Sequence, residues 1–156
     1  MSFNRHLLVD GANVLHAWPE LRALVKRDRD AARAQLIRCV ATIHDAEQIR
    51  VTLVFDGRGD ELVVERLSEL TTLSVIYTPS SATADDVIEQ LVANADDPAV
   101  CIVATDDNAE RETVCASGAT AIRPCELAAW VQRAEVRQGA ALAARRATNA
   151  REWRAQ

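Results

Sequence analysis

Four acidic positions in this chain fall where hydrophobic strands run out. HLLVD ends at Asp10, VTLVFD at Asp56 and VCIVATDD at Asp106 and Asp107. In TPSSATADD, Asp85 and Asp86 stand just past a strand, at the start of a helix. In an α/β sheet such points converge on one edge, in the crevice outside the carboxyl ends of the strands. Carboxylates gathered there repel one another and resist ionising. A hard cation with oxygen ligands, Mg²⁺ or Mn²⁺, relieves that repulsion. Phosphodiester hydrolysis needs an activated water, neutralised phosphoryl oxygens and a stabilised leaving group, and divalent ions held by several aspartates can supply all three. The residues therefore predict a metal-dependent phosphodiester hydrolase, read first as a ribonuclease, acting through metal-activated water; they do not fix endo- against exonucleolytic cleavage.

Each of these acids also has a structural explanation. Aspartate is a favoured helix cap, and acids suit a helix's first turn. Asp85, Asp86, Asp106 and Asp107 all precede or open helices. Asp10 and Asp56 are each followed by Gly with no helix expected to start at once, so capping explains them less well. Glu89 lies one helical turn beyond Asp85, and a like-charged pair at that spacing is unfavourable unless a cation sits nearby. Arg58 and Arg111 are the candidates for substrate phosphates, which guanidinium groups bind bidentately.

The elements that would carry these residues alternate strand and helix, which predicts βαβ units and a mostly parallel sheet of four to five strands in a three-layer α/β/α arrangement. The expected strands are His6 to Asp10, Val51 to Phe55, Leu73 to Tyr77, Val100 to Ala104 and a short one at Ala119 to Ile122. Between them fall helices from Trp18–Pro19 toward Lys26, from Asp30 to Glu47, from Ala84 to Asn94 with Thr83 as cap, and from Ala109 to Ser117 with Gly118 as a left-handed cap. The stretch from Glu61 to Leu70 reads equally as a short helix or an irregular lid. Pro124 opens a last helix with Leu127, Trp130, Val131 and Ala134 inward, and Gly139 divides it from a basic tail. The domain reading is a nuclease domain over 1–133 and a basic helical tail over 134–156.

Composition bounds the alternatives. A chain of 156 residues is one domain by expectation. It has no apolar run of membrane-spanning length and no apolar signal-peptide segment, so the expectation is a cytoplasmic protein with no membrane partner. The cysteines Cys39, Cys101, Cys115 and Cys125 form no CxxC pair, and His6, His16 and His44 are scattered, so no zinc site is expected. The net charge is −5, but Arg133 to Gln156 holds six arginines against Glu135 and Glu152, a local balance of +4. A negative body with a basic arm fits an acidic centre plus a phosphate-binding segment, and equally a solvated helix face. A dehalogenase-type phosphatase needs a second Asp where Ala12 stands. A receiver domain needs a lysine after its last strand, and the one lysine here is Lys26. No glycine-rich nucleotide loop is present.

Five segments in order resemble the YacP-like branch of the NYN domains, within the PIN-like nuclease superfamily. They are LLVDGANVLHAWPEL, RDRDAARAQLI, VTLVFDGRG, VIYTPSSATADDVIEQL and IVATDDNAERETVCASGA. The resemblance covers about His6 to Val131. It implies a metal-binding core of Asp10, Asp85 and Asp106, with Asn13 orienting a ligand or a substrate phosphate. Asp56 and Asp107 are implied as supporting or second-metal residues, and Asp86 supports them. Ala12 departs from the aromatic residue that many relatives carry there, and the segment after Asp56 is short. The resemblance implies cleavage of single-stranded or structured RNA, read as endonucleolytic, with the ribosome among its settings. The alternative is a non-catalytic RNA- or ribosome-binding module with a vestigial acidic site.

Overall fold

The computed structural model describes residues 3–67 and 71–155. Its centre is a six-stranded sheet in the order β3-β4-β2-β1-β5-β6. The strands are β1 (His6–Asp10), β2 (Arg50–Asp56), β3 (Val63–Arg66), β4 (Leu73–Thr78), β5 (Cys101–Ala104) and β6 (Thr120–Ile122). All neighbours pair in parallel except β3, which runs antiparallel to β4. The parallel strands β1 and β2 are almost wholly buried, as near-continuous apolar runs require when helices cover both faces.

The helices are α1 (Gly11–Ala17), α2 (Pro19–Arg27), α3 (Arg29–Glu47), α4 (Ala84–Ala93), α5 (Asn108–Ala116) and α6 (Pro124–Ala155). They separate into two layers. Leu15, Leu21, Leu36, Val40, Leu127 and Val131 of α1, α2, α3 and α6 bury one face of the sheet. Val87, Ile88, Val92 and Val114 of α4 and α5 bury the other. The architecture is the expected three-layer α/β/α. Among the described residues, no helix is long and apolar enough to cross a membrane.

Three local expectations are corrected. A helix does start at once after Asp10: the Asp10 side chain caps α1 by accepting from the Asn13 N–H. Part of the 61–70 segment is a strand, β3, which adds a sixth member to the sheet. All four of its residues are exposed, so no burial pattern marked it in the sequence. Residues 68–70 of that segment lie outside the described residues. Finally, Gly139 does not divide the last helix, and α6 continues through it to Ala155.

The chain builds β1, β2 and β4 outward in one direction and then crosses back through α4 to β5 and β6 on the other side of β1. The topological switch therefore lies beside β1, between it and β5. That is where an open α/β sheet presents a crevice at its strand ends.

Candidate metal centre

Three carboxylates meet at that crevice: Asp10, Asp85 and Glu110, with one oxygen from each within 4.8 Å of the others. Asp10 arrives at the end of β1 and is 2% exposed. Asp85 is half-buried in the first turn of α4, the crossover helix. Glu110, 1% exposed, comes from the first turn of α5 just beyond β5.

Each is held by its own local structure. Asn13 donates to Asp10 twice, from its side-chain amide at 3.1 Å and its backbone N–H at 3.4 Å. Thr105 Oγ1 donates to Glu110 Oε2 at 2.7 Å, and the Asp107 side chain accepts from the Glu110 N–H as the α5 cap. Asp56 Oδ1 accepts from the Ala84 N–H at 3.0 Å and so fixes the end of α4 that carries Asp85. Thr83 and Asp86 close a reciprocal capping box on the same turn.

The electrostatics of the cluster are those of carboxylates without a counter-charge. Burial is the first cause raising Asp85 to about 7, with its hydrogen bond to Asp10 and the Asp10 charge adding to it. Burial also leads in pushing Glu110 up to about 10, again with Asp10 next. The Glu110 Oε1 atom is buried and receives no N–H or O–H from the described residues. The Asp10 and Asp85 carboxylates lie within 4.8 Å of the Glu110 carboxylate, and acceptors so placed need a shared proton, a cation or a bridging water between them. An all-oxygen donor set with an orphaned buried oxygen fits a divalent metal ion.

The residues singled out from the sequence fall in different places. Asp10 and Asp85 are in the cluster. Asp106 stands outside it, exposed, in a 2.9 Å ion pair with Arg123, while its backbone N–H donates to Asn13 Oδ1 at 3.1 Å. Asn13 thus ties β1 to the β5–α5 loop. Asp56, Asp86 and Asp107 serve as caps. Glu89 is half-buried and makes no hydrogen bond or ion pair among the described residues. Arg111 donates to the Thr105 carbonyl at 3.4 Å, and Arg58 is exposed beside Asp56.

Glu110 was not singled out from the sequence. It lies three residues after the capping Asp107, where a glutamate ordinarily completes a capping box by accepting from the cap's N–H. Here the Asp107 N–H goes to Thr105 Oγ1 instead, which leaves Glu110 available to the cluster.

Comparison with known proteins gives a consistent result. The family model described as the YacP-like NYN domain matches residues 7–156, past the end of the resemblance seen in the motifs. The uncharacterized protein YacP of Bacillus subtilis (strain 168) is 35% identical over 135 residues, which span 84% of this chain and 77% of that protein. The crystal structure of Rae1 (YacP) from Bacillus subtilis superposes with a TM-score of 0.71 at 30% identity, covering 94% of this chain and 83% of that one. A tryptophan-to-leucine mutant of the same protein gives a TM-score of 0.71 at 32% identity, over 85% and 78% of the two chains.

Proposed function

This chain belongs to the YacP-like NYN domain family, a nuclease-like domain, and from that premise we propose that it is a divalent-metal-dependent ribonuclease centred on Asp10, Asp85 and Glu110. The observation that carries the reading is the meeting of these three carboxylates, two of them buried, with none of them in an ion pair among the described residues. Burying uncompensated acids is costly, and a cluster without a structural partner is the arrangement expected where a cation binds.

Mg²⁺ or Mn²⁺ is the ion such a donor set suits, and its chemistry when bound is to activate water and offset phosphate charge. The residues of the chain do the rest. Asp10, Asp85 and Glu110 would hold the ion from three separate elements. Asn13 keeps Asp10 oriented from two donors, and Asp107 and Thr105 keep Glu110 in place. Asp56 and Asp86 anchor the turn that carries Asp85. Asp106 sits at the rim, holding Arg123 where the guanidinium can meet a substrate phosphate. The substrate is RNA, and the basic end of α6 suits a phosphate-rich surface such as the ribosome.

The experiment is cleavage of an end-labelled RNA pool by wild type and Asp10→Asn, with Mn²⁺, Mg²⁺ or chelator. The expected result is metal-dependent cutting that the substitution removes, with internal fragments indicating endonucleolytic action. No cutting by pure wild type, with or without ribosomes, would replace this reading with that of an RNA- or ribosome-binding module.

A further inference from the structure

A pocket of about 220 Å³ lies beside the carboxylate cluster, between α1, the α2–α3 corner and the end of β2. Leu15, Val25 and Phe55 give it an apolar floor, and Arg29, Arg33 and Arg58 line it above. Its lining holds none of the three carboxylates, but two of its residues adjoin the elements that place them. Ala12, in its wall, is two residues from Asp10, and the ring of Phe55 packs against Gly11. Asp56, also in its wall, binds the N–H of Ala84 next to Asp85.

The charge of this pocket runs against that of the molecule. The chain carries −5 overall, yet here three arginines face one carboxylate, Asp56. Among the described residues, none of the three is in an ion pair; the ion pairs involve Arg5, His44, Arg123 and Arg137. In the adjoining depression of about 460 Å³ the same arginines are balanced by Asp30 and Glu61 as well, so the positive excess is concentrated in the smaller pocket.

Arg33 is the best fixed of the three. Its guanidinium lies 5.0 Å from the Phe55 ring centre and 5.7 Å from that of Tyr77, and one Nη2–H donates to the Asp56 carbonyl at 3.3 Å. Its Nε is buried with no acceptor among the described residues. The buried Nε is out of reach of an incoming anion, but a guanidinium held in place without a carboxylate partner offers its outer Nη–H groups to an anion and its plane to a base. The pocket is smaller than the roughly 300–1,000 Å³ of a free-standing small-molecule site. It has room for one planar group whose chain continues outside.

We propose that this pocket takes one nucleotide of the single-stranded RNA substrate, its base in the apolar part at Val25 and its phosphates on Arg29, Arg33 and Arg58. The proposal deepens the ribonuclease reading and rests on it for the identity of the polymer. An unstacked base is required, so the pocket selects single strands over duplex.

The test is binding of a labelled RNA pentanucleotide to the full chain by fluorescence anisotropy, in chelator, across 50–200 mM salt. Replacing Arg29, Arg33 and Arg58 together by Ala should weaken binding at least about tenfold at 50 mM. It should also lower the slope of log affinity against log salt by roughly 2, from about 0.7 per phosphate on a single strand. Arg58→Ala alone, at an exposed position that supports no packing, should lower the slope by about a third of that. Ala12→Trp adds an indole to the wall without changing charge, so it should weaken binding with the slope unchanged. Unchanged affinity and slope in the triple variant, no binding by wild type at 50 mM, or equal competition by duplex RNA would each overturn the proposal. Without metal the assay does not depend on cleavage. A chain that binds as described but never cuts would remove the ribonuclease reading and keep the pocket. A chain that cuts while its triple variant binds normally would do the reverse.

Discussion

The carboxylate of Glu110 lies against that of Asp10, although one ends β1 and the other opens α5 across the topological switch. Thr105 satisfies one Glu110 oxygen, and the other, Oε1, is buried with no donor among the described residues. The contact is stable only when something mediates it, a proton, a metal ion or a bridging water.

Replacing Glu110 by Gln should therefore separate metal binding from folding. Mn²⁺ should stabilise wild type by about 2.7 kcal/mol at a hundredfold excess over its dissociation constant. Glu110→Gln and Asp85→Asn should lose most of that gain and the associated cleavage. Asp106→Asn, outside the cluster, should keep the Mn²⁺ gain while releasing Arg123. Thermal unfolding with and without Mn²⁺ reads all three, and an undiminished shift in Glu110→Gln would exclude that residue as a ligand.

The metal-free protein should lose stability as pH rises. Asp85 moves from 3.8 up to about 7, and Glu110 from 4.5 up to about 10. Between those limits the folded cluster keeps protons that the unfolded chain has released. The folded state binds more protons, so the slope of stability with pH is negative. The stabilisation is complete below about pH 4 and is lost as pH passes through 7 and on toward 10; the protons belong to the cluster as a whole. Melting in chelator from pH 5 to 9 should show this decline, flattened in Glu110→Gln. With Mn²⁺ present the trend should reverse, because the ion must displace those protons and binds better as pH rises. A metal-free melting temperature that climbed over the same range would contradict the proton-sharing cluster.

Much of this centre was legible in the sequence, for physical reasons. Thr83 before a run with Val87, Ile88 and Val92 at helical spacing located α4, and hence Asp85. Asp10 followed the apolar run Leu7-Leu8-Val9, and in a parallel sheet buried on both faces the carboxyl end of a strand is where such a residue meets the crevice. The remainder depended on contacts that no local pattern carries. Asp106 and Asp10 look alike as strand-end acids, but Arg123, arriving after β6, takes Asp106 out of the cluster. Glu110 carried no signal of its own, because the Thr105 hydroxyl that accepts from the Asp107 N–H in the glutamate's place comes from the preceding strand end. Val63–Arg66 has no buried face, so its pairing with β4 rests on backbone hydrogen bonds alone.

Gly11 should tolerate no side chain. A Cβ there would overlap the edge of the Phe55 ring at Cε1 and Cδ1. Phe55 is 1% exposed and supports both the core and the floor of the arginine-lined pocket, so it has little room to yield. Gly11→Ala should cost roughly 1–3 kcal/mol by overpacking, at about 2–4 °C of melting temperature per kcal/mol for a chain of this size. It should also weaken Mn²⁺ binding, since Gly11 is joined to Asp10. A variant melting within a degree of wild type would mean that Phe55 moves freely.

The distal half of α6 should be dispensable for folding and needed for affinity to RNA. Leu127, Val131 and Ala134 bury its first half against the sheet, and Arg137 pairs with Glu47 at 3.4 Å. From Gly139 to Arg154 every residue is exposed, including Trp153 at 79%. That stretch carries Arg145, Arg146, Arg151 and Arg154 against Glu152. Ending the chain after Gln138 removes charge but almost no buried surface, so melting should be unchanged within a degree or two. Affinity for a long single-stranded RNA should fall at low salt and converge with wild type as salt rises, because each lost phosphate contact removes about 0.7 from the slope. Affinity for the pentanucleotide, one nucleotide of which is proposed to sit in the pocket beside Arg33 and which is too short to reach the end of α6 as well, should not change. Equal salt slopes for the truncated and full chains on long RNA would make the arginines of α6 a solvated surface and confine RNA binding to the sheet edge.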